Sequence, residues 1–187
     1  GFSNNVSGHV QMPLRAMQLL ADAGHEVHLI TNPPTEDRPD LPDMLPNNIT
    51  IHYVQDGRKR TKVVDGVGGK STGVSILGFM KQLRQIKSIV KKHDFELLHA
   101  YGYGGTATLT AMLRFAGVRI PKIVTLYGLS GANEAKDSIF RNIWNSLTLV
   151  SPTAYVAQLC AQSKLEATII RHGSIRDFVN ELGDVPI

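Results

Sequence analysis

The sequence predicts an α/β fold, a mostly parallel sheet with helices on both faces. Three observations carry that prediction. Stretches with helical apolar spacing alternate with short β-branched runs along the 187 residues, the pattern of strand–helix–strand crossovers. Runs such as Ile123-Val-Thr-Leu126 suit parallel strands buried on both faces. Glycine closes two of the helical stretches, at Gly24 and Gly117.

The elements follow in order. Val10, Leu14, Met17 and Ala21 share a helical face, with Pro13 starting or kinking the helix. Residues 26–31 read as a short strand, the proline-rich 32–48 as a loop, and 49–54 as a second strand. Residues 74–92 predict a helix with Ile76, Met80, Leu83, Ile86 and Val90 on its apolar face. A strand at 95–100, a helix at 106–116, and a strand at 122–127 come next. A helix near 139–145, a strand at 147–150, a helix at 153–161 and a strand at 167–170 complete the chain. A doubly wound sheet normally begins with a central strand before its first helix. None is visible ahead of Phe2-Ser-Asn-Asn-Val-Ser-Gly8, so the first strand is expected to be missing from this sequence.

With 42% hydrophobic residues, 1–187 is enough for one buried domain. At 19% charged residues it is not a disordered polyelectrolyte. No apolar run approaches the roughly 20 residues of a membrane span, and no signal peptide pattern opens the sequence. One cysteine, Cys160, excludes an intrachain disulfide framework and a cysteine-rich zinc site. It reads as a small apolar helix residue in a reducing, cytoplasmic setting. The net charge of +4 points to anionic partners such as phosphates, nucleotides or acidic lipids. It is too mild to argue for nucleic acid, and no aromatic–basic module accompanies it.

One stretch imitates a nucleotide-binding motif. Asp65-Gly-Val-Gly-Gly-Lys-Ser-Thr-Gly73 contains Gly69-Lys70-Ser71, the end of a phosphate-binding P-loop. That pattern needs glycine at 64, where Val64 stands, and a buried strand before it. Arg58-Lys-Arg-Thr-Lys62 precedes it instead. Residues 57–73 are therefore expected to form a basic surface loop that binds no nucleoside triphosphate.

Ligands of parallel sheets bind beyond the carboxyl ends of the strands. That rule selects 99–105, 127–131, Ser151-Pro152 and Arg171-His172-Gly173. Three of these carry glycine beside His or Tyr.

Several pieces together resemble a known family. They are Ser7-Gly8 ahead of a helix ending LLADAGHEVHLIT, then FELLHAYGYGG, VRIPKIVTLYGLSG, LTLVSPTAYVAQL and ATIIRHGSIRDF. In order and spacing over 7–178 they resemble the N-terminal half of a GT-B glycosyltransferase of the retaining family 4 type. Nucleotide-sugar epimerases share the architecture. The resemblance implies a Rossmann-like acceptor-side domain. Its partner domain would hold most nucleotide-sugar contacts and a pair of glutamates, and nothing in this sequence matches it. The chain alone is accordingly expected to have no transferase turnover.

The resemblance also implies site residues, each with its own physical reading. Gly8 opens a helix whose free N–H groups and dipole suit a phosphate, or it is a plain glycine N-cap. His9 reads as a phosphate or hydroxyl donor, or as a surface residue. His99 is expected to end its strand and touch a ligand, or to be a satisfied core histidine. Tyr103 offers a flat face for a sugar ring. Tyr127 stands where the family commonly has histidine, close to the transferred sugar. It is taken as the catalytic position, although a phenol with a pKa of about 10 carries no proton near neutrality. Gly128 lets substrate approach the backbone. Arg171 suits a phosphate, or lies in a solvated turn.

The implied function is transfer of a sugar from a nucleotide-sugar donor to a lipid, glycan or small-molecule acceptor. No metal and no cofactor is expected, since the sequence contains no Asp-x-Asp metal motif. The alternatives are an epimerase half-domain and a non-catalytic binding module. Lys81, Arg84, Lys87, Lys91 and Lys92 on the 74–92 helix add a possible partner, an anionic membrane surface on the cytoplasmic side. A plain solvated face is the other reading.

Overall fold

A computed structural model describes residues 8–33, 48–55, 76–129 and 142–171. The order is α1 (Gly8–Asp22), β1 (Val27–Thr31), β2 (Ile49–Tyr53), α2 (Ile76–His93), β3 (Leu98–Tyr103), α3 (Gly104–Phe115), β4 (Lys122–Gly128), β5 (Thr148–Ser151), α4 (Ala154–Gln162) and β6 (Ala167–Ile169). The α/β class and the parallel strands match the sequence reading. The strands form two sheets, β1-β2 and β3-β4-β5-β6, and no strand precedes α1 among the described residues. The chain divides into two compact units, Gly1–Leu98 with Leu109–Pro121, and His99–Thr108 with Lys122–Ile187.

In the first unit β1 and β2 run parallel, from Val27 opposite Ile49 to Thr31 opposite Tyr53. Leu14 of α1 packs with Ile49, joined by Met17, Val27, Leu29 and Ile51. A second cluster joins Val54 to Leu83, Ile86 and Val90 of α2 and to Leu113 and Val118. Full burial of each such side chain is worth roughly 1.5–3 kcal/mol. The positions 83, 86 and 90 follow helical periodicity. The expected stripe nevertheless fails at its start, since Ile76 is 81% and Met80 41% exposed. The buried partners Val54, Leu113 and Val118 engage the turns from Phe79 onward.

After α2 the backbone turns at Asp94, whose φ is 50°. β3 therefore begins at Leu98, three residues later than the periodicity predicts, where the Leu98 N–H donates to the Pro121 carbonyl at 3.1 Å. It then runs on to Tyr103 and enters α3 at Gly104 with no residue between. The expected loop at 99–105 is thus strand followed by helix. Gly102 permits the abrupt change, because a Cβ there would meet the Thr106 side chain at 2.4 Å.

In the second unit β4 pairs in parallel with β5, Ile123 opposite Thr148, and β5 with β6, Leu149 opposite Ala167. Val124 and Leu126 are fully buried and Thr125 nearly so, as befits a strand with neighbours on both edges. Trp144, 1% exposed, donates its indole N–H to Thr108 Oγ1 at 3.1 Å. Thr153 caps α4 by accepting from the Val156 N–H at 3.3 Å. Cys160 is buried in α4 as expected, and burial pushes its thiol pKa up. No helix among the described residues is long and apolar enough to cross a membrane.

Candidate functional site

The second unit gathers polar aromatic residues on β3 and β4. Side chains alternate along a strand, so His99, Tyr101 and Tyr103 share one face of β3, and Thr125 and Tyr127 one face of β4. A hydrogen bond joins the two sets, His99 Nε2 to Thr125 Oγ1 at 2.8 Å. On the other side of the ring the Tyr101 hydroxyl lies 3.1 Å from His99 Nδ1. The two rings stack with centroids 4.1 Å apart.

His99 is exposed as a residue, yet both ring nitrogens are hydrogen bonded. Removal of the ring from water lowers its pKa below the usual 6.5. The ring is therefore neutral at pH 7, with one nitrogen donating and the other accepting. Burial likewise raises the Tyr101 pKa. The Tyr127 hydroxyl is buried. Its pKa is pushed up to about 12, first by burial and then by Tyr101 and Tyr103. Gly128 lies against the ring of Tyr103, to which an added Cβ would come within 3.3 Å.

The structure thus brings His99, Tyr103, Tyr127 and Gly128 together, with Tyr101 and Thr125 supporting them. His99 is the second residue of β3 rather than its end, because the strand starts and stops three residues late. Gly8 and His9 are the first two residues of α1 and belong to the other compact unit. Arg171 is exposed, two residues beyond β6. The stretches 57–73, Gly131 and His172-Gly173 lie outside the described residues.

Chemically, the exposed part of this face is His99 and Tyr103, a neutral imidazole and a phenol with a flat aromatic surface, while Thr125 and the Tyr127 hydroxyl are buried. It can hold neutral hydroxyl groups and the C–H faces of a ring. Tyr127 remains protonated through the physiological range, so its hydroxyl is suited to donate a hydrogen bond and does not relay a proton. Sequence reasoning missed Thr125, whose signal is its place two residues before Tyr127 on one strand face. It also missed a group of three histidines in the first unit, His28, His52 and His93. No family model matches the chain, and no curated protein matches it significantly.

Proposed function

We propose that this chain is the acceptor-side, Rossmann-like domain of a retaining glycosyltransferase that moves a sugar from a nucleotide-sugar donor to a lipid, glycan or small-molecule acceptor. The observation that carries this reading is the hydroxyl-rich face formed by His99, Tyr101, Thr125 and Tyr127 on two neighbouring strands. Tyr103, which is exposed, would grip the reacting sugar or acceptor hydroxyl, Tyr127 would join it once its buried hydroxyl is uncovered on binding, and Gly128 would leave the backbone accessible. Since Tyr127 holds its proton, the acceptor proton leaves by another route, the departing phosphate being the natural base. Catalysis then rests on positioning and on stabilising the leaving diphosphate. Gly8 and His9 at the start of α1, in the first unit, and Arg171, in the second, are each proposed separately as a phosphate contact. One observation favours a non-catalytic binding module instead, namely the high pKa of Tyr127 where the family's histidine would stand.

The same reading places the protein in the cytoplasm, peripheral on the inner face of a membrane. Lys81, Arg84, Lys91 and Lys92 of α2 are exposed, and so are Ile76, Leu77 and Met80 in its first turns. Such a helix suits an anionic lipid surface.

The test is an assay with labelled nucleotide sugars and mixed lipid and glycan acceptors, with EDTA present, using both the product of the whole gene and the 187-residue chain. Transfer by the former and none by the latter is expected. Epimerisation without transfer, or turnover by the 187-residue chain alone, would overturn the proposal.

A further inference from the structure

Three of the seven histidines, His28, His52 and His93, meet in the first unit. They come from β1, β2 and the last residue of α2. The register explains the first two. His28 lies opposite Thr50 and His52 opposite Ile30, so both occupy one face of the strand pair, two positions apart. Their rings are nearly parallel, with centroids 5.1 Å apart. His93 completes the group, 4.7 Å from His28 and 4.8 Å from His52 between centroids. Phe95, just past the left-handed Asp94, packs on His28 at 4.8 Å. One ring nitrogen from each histidine lies within 4.8 Å of the other two.

The hydrogen bonds fix the tautomer of His28. Its Nε2 lies 2.7 Å from Glu26 Oε1. An ionised carboxylate only accepts, so Nε2 carries the proton, and the tautomer with one proton has its lone pair on Nδ1. That Nδ1 accepts a hydrogen bond from His52 Nε2 at 2.8 Å, a bond that an ion between the two nitrogens would replace, releasing the His52 proton. The His28 side chain is only 5% exposed. A carboxylate holding the far nitrogen of an imidazole is the usual partner of a metal-bound histidine.

We propose that His28 Nδ1, His52 and His93 form a site for a divalent transition metal, zinc foremost, with the fourth position left to water. Three neutral imidazoles suit zinc, cobalt, nickel or copper, whereas calcium and magnesium prefer oxygen ligands. Zinc–nitrogen bonds of about 2.0–2.1 Å place tetrahedral ligand nitrogens about 3.3 Å apart. The His28–His52 pair must therefore open by about half an ångström and His93 must close in, which small side-chain torsions supply. Lys92 opposes a bound cation, but it is exposed and solvent and salt screen it. The ion would tie β1, β2 and the end of α2 together, a structural role independent of sugar transfer.

The test uses the tag-free 187-residue chain, stripped with chelator and titrated with cobalt chloride and then zinc chloride. One ion per chain is expected, with the visible absorption of tetrahedral cobalt, displaced by zinc. Zinc at a hundredfold excess over its dissociation constant should shift the folding equilibrium about 100-fold and raise the melting temperature. His93→Ala and His52→Ala should abolish binding. Glu26→Gln should weaken it about tenfold, the low end for such a partner because Glu26 is largely exposed. His25→Ala should leave it unchanged. In the unaltered chain, NMR should show zinc shifting the imidazole signals of His28, His52 and His93 and sparing the other histidines, a readout that survives if a variant fails to fold. Binding weaker than about 100 μM, or zinc shifts confined to other histidines, would overturn the proposal.

Discussion

The imidazole of His99 sits between two hydroxyls, with Nε2 2.8 Å from Thr125 and Nδ1 3.1 Å from Tyr101. One ring thereby couples β3 to β4 and orders the face on which Tyr127 stands. Thr125→Val keeps the shape and removes the hydroxyl. Thr125 is 2% exposed, so water cannot easily replace the lost partner. Urea denaturation should show a loss of roughly 1–3 kcal/mol, with Thr125→Ser recovering most of it. The same ring makes stability depend on pH. Its folded pKa lies below 6.5, so as pH falls the unfolded chain takes up this proton first. The contribution of His99 is complete above about pH 6.5 and is lost as pH falls from there through the folded pKa. Melting curves between about pH 8 and 5 should be steeper for the wild type than for His99→Gln.

Two glycines near this face should respond differently to alanine. At Gly102 a Cβ would lie 2.4 Å from Thr106 Oγ1 and 3.0 Å from Thr106 Cβ. The abrupt strand-to-helix change leaves no loop to absorb that clash. Gly102→Ala should cost about 1–3 kcal/mol by denaturant titration, and adding Thr106→Ala should restore part of it. At Gly128 the nearest atom is a Tyr103 ring carbon at 3.3 Å, which a small ring movement relieves. Gly128→Ala should change stability by less than about 1 kcal/mol.

The contrast shows what the sequence could convey. Helical periodicity at 83, 86 and 90 and β-branched runs such as Ile49-Thr-Ile51 are local, and they announced the succession of elements. The shift of β3 by three residues was not local, because it depends on the turn at Asp94 and on the bond from Leu98 to Pro121. Exposure at Ile76 and Met80 depends on which distant residues reach α2. Strand neighbours are likewise invisible to periodicity, so the division into two sheets could not be read. His99, Tyr103, Tyr127 and Gly128 were legible because β3 and β4 are sequence neighbours and also sheet neighbours. His28 and His52 were not, since their meeting requires the β1–β2 register.

Lys164 ends α4 with φ of 58°, donating its N–H to Ala161 while Leu165 donates to Cys160, each at 2.9 Å. The same closure at Gly117 uses glycine at a φ of 89°. A Cβ makes this conformation unfavourable. Lys164→Gly should raise stability by roughly 0.5–1 kcal/mol, with the helix content by circular dichroism unchanged.

The exposed face of α2 gives a membrane prediction. Flotation with phosphatidylserine-containing vesicles should capture the chain, and neutral vesicles should not. Reversal of Arg84 and Lys91 to glutamate should remove about 1 kcal/mol per original charge, more than tenfold in total, before counting the added repulsion. Lys81 is a poorer choice for substitution, because it donates to Gln55 and helps fasten α2 to the end of β2. Equal binding to neutral vesicles, or no effect of the double reversal, would remove the lipid surface from the proposed function.

Tyr127 decides the character of the site. Its hydroxyl is buried and its pKa is about 12, so it remains a phenol wherever the protein is folded and active. As a phenol it can position an acceptor or sugar hydroxyl but cannot remove its proton. In a transfer assay with the whole gene product, Tyr127→Phe should therefore lose one neutral hydrogen bond, roughly 0.5–1.5 kcal/mol, or about two- to tenfold in kcat/KM. The pH–rate profile should show no alkaline limb from this residue below about pH 11. If the loss instead exceeded a hundredfold and an alkaline limb appeared near neutrality, Tyr127 would be moving a proton. If activity were unchanged, the hydroxyl would serve only the packing of Tyr101 and Tyr103 around it, and the acceptor site would have to be sought elsewhere.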